Sequence, residues 1–253
     1  MAASKATRLE IGQALDVGIK RRGAPNQDAI GVLLPTLLGK HAPLLVVADG
    51  MGGQQEGARA AQIVIDEITK AYKKANRKAE STQTLAAGIR LAHKRIQQYV
   101  EKHKDVASMG AAVVAAVIGG QQITIANVGD ARIYLIHEEA IRQVSYDHSF
   151  VAEQVRQGMI TQAEALTHPR RNVLTMSVTS KREALEPYTA SIPYAAGDTL
   201  LLCSDGLWGT VSEAQLQAVV MELPPQQAAD KLVKMANMNQ GPDNISVVIA
   251  RLG

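Results

Sequence analysis

The sequence predicts an α+β fold in which two packed, mainly antiparallel sheets carry helices on their outer faces. Three observations predict it. Strand-like segments come in three clusters, and stretches with helical periodicity separate the clusters. Two short turn sequences, IGGQQITI and IHEEAIRQV, join neighbouring strands as hairpins.

The first strand cluster covers 9–19, 29–34 and 43–48. The second covers 111–118, 122–128 and 131–137, with 140–145 after it. The third covers 186–192, 199–203 and 245–251. Each is rich in Val and Ile and bounded by Gly, Asp or Asn, the pattern of a strand between turns. Helical spacing appears in 56–73, through Ala60, Ile63, Val64, Ile68 and Ala71, and in 85–100, through Leu85, Ile89, Ile96 and Val100. Shorter helices are expected at 150–157, 161–165 and 212–221, and a last one at 225–238. Thr161 with Glu164 and Ser212 with Gln215 have capping-box spacing, and Pro225 suits a first helical turn.

Composition bounds the function. Apolar residues make up 46% of the 253, enough for a sizeable core, and at 3% aromatics that core must be aliphatic. A net charge of +3 without interleaved aromatics argues against a nucleic-acid binder. The one cysteine, Cys203, lies in the apolar run TLLLCSDG. It cannot form an internal disulfide, which fits a reducing compartment, and it reads as a small core residue. The start, MAASKATRLE, has no apolar run of the signal-peptide kind. The longest apolar stretch, 109–118, is about half the ~20 residues of a membrane span. The expectation is a cytoplasmic protein with no membrane partner, a single domain over 1–253 uninterrupted by linker or repeat.

Chemistry concentrates in carboxylates at strand ends. LLVVADGMGG carries Asp49-Gly50 after an apolar strand, and TLLLCSDGLWG repeats the design with Asp205-Gly206. ANVGDARIYLI sets Asp130 in a turn between strands, QGPDNISVVIA sets Asp243 just ahead of the last strand, and APNQDAIGVLL sets Asp28 ahead of an early one. Taken singly, Asp-Gly and Asp-Asn are good turn formers, and Gly197-Asp198 reads as an ordinary turn. The paired contexts of Asp49 and Asp205 change the weighing, because strand ends of two packed sheets can converge at one rim. Clustered carboxylates repel each other, and burial raises that cost. Divalent cations resolve the conflict, and oxygen-only ligands suit Mg²⁺ or Mn²⁺ rather than Zn²⁺. Two such ions ~3.5–4 Å apart can activate a water for in-line attack on phosphorus. Zinc signatures, a P-loop and a nucleophile elbow are absent from the sequence.

Eight segments in order, RRGAPNQD, VVADGMGG, MGAAVVAAV, ANVGDARIYLI, SYDHSFVAEQVRQGMIT, HPRRNVLT, LLCSDGLWGTVSE and GPDNISVVI, span nearly the whole chain. Together they resemble the metal-dependent protein phosphatases of type 2C, and DGMGG resembles the bacterial form. The resemblance implies a four-layer αββα sandwich with a flap at about 149–179 beside the active site. It implies hydrolysis of phosphoserine and phosphothreonine in proteins by a water bridging two Mn²⁺ or Mg²⁺ ions. By position, Asp49 bridges the metals, the Gly50 carbonyl binds one, and Asp205 and Asp243 complete the other's site. Asp28 orients water held by metal, and Asp130 with Asp205 matches a weaker third site of bacterial members. Phosphorylated protein substrates, targets of a serine/threonine kinase, are the implied partners, met by a monomer.

The sequence departs from the family pattern in four places. The position of the family's phosphate-gripping arginine is Gly23, so Arg21 or Arg22 takes that role, and Arg22 is favoured as nearer the metal motif. Gln27 stands where many members have glutamate, removing one negative charge. The alanines of MGAA stand where threonines are common, a change of packing rather than chemistry. Met51 cannot donate a proton to the leaving group. Asp147, His148 and His168 read as flap-positioning residues, and Trp208 as packing behind the metal site. Gln27 and the shifted arginine also support a second reading, a catalytically weak relative that holds a phosphoprotein or senses metal. A third takes every Asp-Gly pair as a turn in a structural sandwich.

Overall fold

The computed structural model describes residues 9–35, 41–76, 80–138 and 140–253. In chain order the elements are β1 (Leu9–Asp16), β2 (Asp28–Leu33), β3 (Leu44–Gly52), α1 (Gln54–Lys74), α2 (Ser81–Lys102), β4 (Met109–Gly119), β5 (Gln122–Val128), β6 (Arg132–His137) and β7 (Ala140–Gln143). Then come α3 (Phe150–Arg156), α4 (Gln162–Thr167), β8 (Val178–Thr179), β9 (Tyr188–Pro193), β10 (Thr199–Cys203), α5 (Asp205–Trp208), α6 (Glu213–Glu222), α7 (Pro225–Met238) and β11 (Ile245–Leu252). One sheet runs β2-β3-β4-β5-β9, with β8 added at the start of β4; the other runs β1-β11-β10-β6-β7. Every strand pair is antiparallel.

Side-chain alternation explains the layering. On β3, Leu44, Val46 and Ala48 face α1 and α2, whereas Leu45 and Val47 face the other sheet. On β10, Leu200 and Leu202 face inward between the sheets, and Leu201 and Cys203 face α6 and α7. Three aliphatic cores result, one between the sheets and one under each helical layer, giving the α-β-β-α order. Cys203 is fully buried, and burial pushes its thiol above the ordinary range.

The expected strands and helices are present, with ends shifted by a few residues. Both hairpins form: Gly119 pairs with Gln122, and His137 with Ala140, each across a two-residue turn. Gly120 and Glu138 take positive φ there, 45° and 46°, as such turns require. Both capping boxes form as well.

Three features differ from the sequence reading. The β3 strand does not end at Ala48; it continues through Asp49, Gly50 and Met51, which pair with Ala112, Ala111 and Gly110 of β4. The strand expected over 9–19 stops at Asp16, and Ile19–Arg21 form a 3-10 turn instead. Asp16 ends it by accepting from the Gly18 N–H at 2.8 Å, a local turn bond that competes with the ladder. The two-residue β8, which closes the flap segment onto β4, carries too little pattern to be read from sequence.

Candidate active site

Extending β3 past Ala48 decides where Asp49 points. Asp49 has the parity of Leu45 and Val47, so it faces the space between the sheets at their rim. Asp28 begins β2 in register with Asp49 and has the parity of Ile30 and Val32, which line the same core. From the opposite sheet, β10 runs into Asp205, the first residue of α5, and Asp243 precedes β11. Asp130 sits in the turn from β5 to β6. All five carboxylates thus reach one rim of the sandwich. Gly197-Asp198 lies at the other end of β10, where Asp198 accepts from the Ala195 N–H at 2.8 Å and contacts His137.

The Asn244 side chain ties the two sheets together beside this cluster. The Gln27 N–H donates to Asn244 Oδ1 at 2.8 Å, and Asn244 Nδ2 donates to the Val17 carbonyl at 2.8 Å. The Gly50 N–H donates to the Gln27 carbonyl at 3.1 Å. A Cβ on Gly50 would stand 2.1 Å from the Gly57 carbonyl oxygen and 2.5 Å from that of Gln27. A Cβ on Gly206 would stand 2.0 Å from the Asn244 carbonyl oxygen. Glycine follows each Asp because backbone from another segment presses against it.

Electrostatics set these carboxylates apart. Burial pushes Asp28 up to about 7; Asp205 and Asp243 add to the rise, and the Ser204 and Ser246 hydroxyls offset part of it. Asp49 stands well above the ordinary range, by burial first and then by the charges of Asp28, Asp205, Asp130 and Asp243. Burial and Asp205 push Asp130 up to about 8. Burial and Asp243 push Asp205 up to about 6, against a hydrogen bond from Asp49. Asp28 Oδ2 is buried with no hydrogen-bond partner among the described residues.

A hard divalent cation fits this set. The donors are all oxygens, their mutual repulsion calls for positive charge, one buried oxygen lacks a partner, and the glycines leave backbone close by. Among the described residues, no three acidic, His or Cys side chains form a ready-made metal-holding group. Asp243 is turned to other partners: its Oδ1 accepts from the Asn244 N–H at 2.8 Å and its Oδ2 from Arg21 Nη2 at 2.8 Å.

That contact places Arg21 against Asp243, whereas the sequence reading favoured Arg22. The 3-10 turn is held by Lys20 N–H to the Gly241 carbonyl, 3.0 Å, and Ile19 N–H to Asn237 Oδ1, 3.0 Å. So fixed, it aims Arg21 at Asp243, although Arg21 and Arg22 are both exposed.

Behind the cluster runs a buried polar chain. Trp208 Nε1 donates to the Asp130 carbonyl at 2.9 Å, and the Arg132 guanidinium lies over the Trp208 ring at 3.6 Å. Arg132 Nε and Nη2 donate to Asp147 Oδ2 at 2.9 and 2.8 Å. Burial opposes the Arg132 charge, but Asp147 and Tyr134 outweigh it and hold the guanidinium charged. His148 is buried: its N–H donates to the Gly129 carbonyl at 2.9 Å and its Nδ1 accepts from the Gly129 N–H at 3.2 Å. Burial lowers its pKa, so it is a neutral clamp on the base of the flap. Phe150 of α3 packs on His168.

Two residues at the rim escaped the sequence reading. Ser204 and Ser246 follow β10 and lie within β11 at inward positions otherwise held by Leu and Val. A polar residue breaking an inward aliphatic run was the available signal.

Comparison with known proteins shows the family to which the chain belongs. A family model described as Protein phosphatase 2C matches residues 18–241. The serine/threonine phosphatase stp of Listeria innocua is 37% identical over 211 residues, 82% of this chain and 83% of the relative. The crystal structure of serine/threonine phosphatase Stp1 from Staphylococcus aureus has a TM-score of 0.89 at 30% identity, covering 100% of this chain and 98% of that one. The catalytic domain of PstP in complex with two manganese ions has a TM-score of 0.85 at 28% identity, covering 98% and 99%. The chain described here belongs to the protein phosphatase 2C family.

Proposed function

We propose that this chain is a metal-dependent serine/threonine protein phosphatase that hydrolyses phosphoserine and phosphothreonine in proteins. The observation that carries the reading is the gathering of Asp28, Asp49, Asp130, Asp205 and Asp243 at one rim from both sheets, with burial and mutual repulsion raising four of them. The manganese-bound relative and the named phosphatases support it.

In this reading Asp49, the Gly50 carbonyl, Asp205 and Asp243 hold two Mn²⁺ or Mg²⁺ ions, and Asp130 with Asp205 holds a weaker third. The ions, when bound, neutralise the carboxylates and activate water for in-line attack on phosphorus. Asp28, held in register beside Asp49, orients that water through its unpaired Oδ2. Arg21 leaves Asp243 and turns its guanidinium fork to the substrate phosphate. Met51 carries no proton, and His148 is clamped to Gly129, so the departing alkoxide takes its proton from water.

The substrates are phosphoproteins made by a serine/threonine kinase. The acting unit is a monomer with a single domain over 1–253, its flap at about 149–179 beside the metals, working in the cytoplasm. No helix among the described residues is long and apolar enough to cross a membrane.

The test is turnover of a phosphothreonine peptide with Mn²⁺ and with excess chelator. Asp205→Ala should lose more than about 100-fold in kcat/KM, beyond what loss of an outer-shell partner usually costs. Inactive wild type with Mn²⁺, or near-normal activity of Asp205→Ala, would refute the mechanism.

A further inference from the structure

A cavity of ≈ 350 Å³ lies between the flap helices and the sheet that carries β6 and β7. Asp205 and Trp208 are among its lining residues, so it reaches the candidate metal centre. Val151 and Val155 of α3 and Ala165 and Leu166 of α4 line the flap side. We propose that this cavity is a specificity pocket that receives one apolar side chain of the phosphoprotein substrate, close in sequence to the phosphorylated residue. The proposal rests on the phosphatase reading above and adds to it which flanking residues the enzyme selects.

Four observations support it. Two arginines of the wall are already engaged. Arg132 lies between Trp208 and Asp147. Arg156 lies 3.8 Å over the Tyr146 ring and donates to the Asp147 carbonyl at 3.2 Å. Both guanidiniums are held against aromatic rings, and the stacked planes present a flat face to a guest.

Leu166 lines this cavity yet is 62% exposed, a large apolar side chain at its mouth with nothing over it. The chamber is also preformed. The base of the flap is tied down by the Phe150 N–H to the Val173 carbonyl at 2.8 Å and the Thr175 N–H to the His148 carbonyl at 2.9 Å. A guest therefore enters without ordering the walls, which conserves binding energy. Finally, the volume is at the small end of the ~300–1,000 Å³ range of ligand sites, room for a side chain rather than a folded partner. Arg171 and Asn172, on the rim, are placed to meet peptide carbonyls.

The test uses phosphothreonine peptides that differ only in the residues flanking the phosphothreonine: alanine, leucine or aspartate. Full-length protein with Mn²⁺ is assayed on each and on para-nitrophenyl phosphate, which has no flanking residue. The expected result is a kcat/KM about 10- to 100-fold higher for a leucine-flanked than an alanine-flanked peptide at one position. Ala165→Phe, which fills the cavity, and Leu166→Asp, which makes its mouth acidic, should each abolish that preference. Turnover of para-nitrophenyl phosphate should be unchanged in both, which also shows that they fold.

Trp208, the only tryptophan of the chain, gives a readout independent of turnover. With chelator present, its emission should shift on adding the leucine-flanked peptide and not the aspartate-flanked one. The pocket proposal alone fails if para-nitrophenyl phosphate is hydrolysed but flanking residues make no difference, or if the leucine preference survives both variants. It also fails if the enzyme prefers aspartate and Arg171→Gln removes that preference. If wild type hydrolyses neither kind of substrate with Mn²⁺, the phosphatase reading fails and the pocket proposal with it.

Discussion

Replacing Asp28 by Asn should stabilise the metal-free protein and weaken the stabilisation that metal supplies. In the metal-free protein the Asp28 carboxyl is raised from 3.8 to about 7. A folded value above the unfolded one means that the folded chain holds this proton more readily. The associated stability is full below about pH 4 and is lost as pH rises to about 7. At 1.36 kcal/mol per unit, the three-unit rise sets an upper limit of roughly 4 kcal/mol of charge penalty at pH 8. An amide removes the penalty but is itself a buried polar group beside an oxygen that had no partner, at a cost of about 1–3 kcal/mol. Asp28→Asn should therefore be about 1–3 kcal/mol more stable than wild type in chelator at pH 8. That advantage should shrink by roughly 2–3 kcal/mol at pH 5, where only about one unit of the shift has been traversed. Buried His93 and His148, whose lowered values act in the other direction, are common to both proteins and cancel in the difference. Urea unfolding of both proteins at pH 5 and 8 measures this. With Mn²⁺ at about 100 times its Kd, wild type should gain about 2.7 kcal/mol and the variant less. A variant no more stable than wild type at pH 8 in chelator, or with the same pH slope, would refute the reasoning.

Two further outcomes follow from the geometry. Gly50→Ala forces a Cβ to 2.1 Å from the Gly57 carbonyl oxygen, a backbone atom that cannot rotate away. It should destabilise the fold by about 3 kcal/mol or more, and an unchanged melting temperature would contradict the packing described. Arg21→Ala removes the guanidinium that reaches Asp243, at a half-exposed site, so stability should move by less than about 1 kcal/mol. Its KM for phosphopeptide should rise at least about 10-fold, whereas Arg22→Ala should leave KM nearly unchanged; equal effects would show the aim of the 3-10 turn to be irrelevant.

Much of the fold was legible because its signals are local. Val- and Ile-rich runs marked the strands, and Ser212 with Gln215 marked a helix start that the structure reproduces to the hydrogen bond. The candidate site was legible in its carboxylates, since two apolar strands each followed by Asp-Gly is a repeated context. Missing from the pattern was the continuation of β3, because Gly50-Met51-Gly52 carries no alternation; pairing with β4 supplies the order that propensity does not. The choice between Arg21 and Arg22 was likewise illegible. It depends on which way one 3-10 turn faces, and Gly241 and Asn237, distant in sequence, decide that.

The lock between Gln27 and Asn244 joins positions 217 apart in sequence, and Arg21 reaches Asp243 across 222. Asp243 arrives with β11, the last strand, which must insert between β1 and β10. The carboxylate cluster therefore depends on contacts between distant parts of the chain and has no local precursor. On refolding, helical signal from α1 and α2 should recover before phosphatase activity, because closing the longest loop precedes any gain from its contacts. Until β11 is in place, a partly folded or still-emerging chain has no Asp243 at the rim, and in the proposed mechanism such an enzyme stays silent.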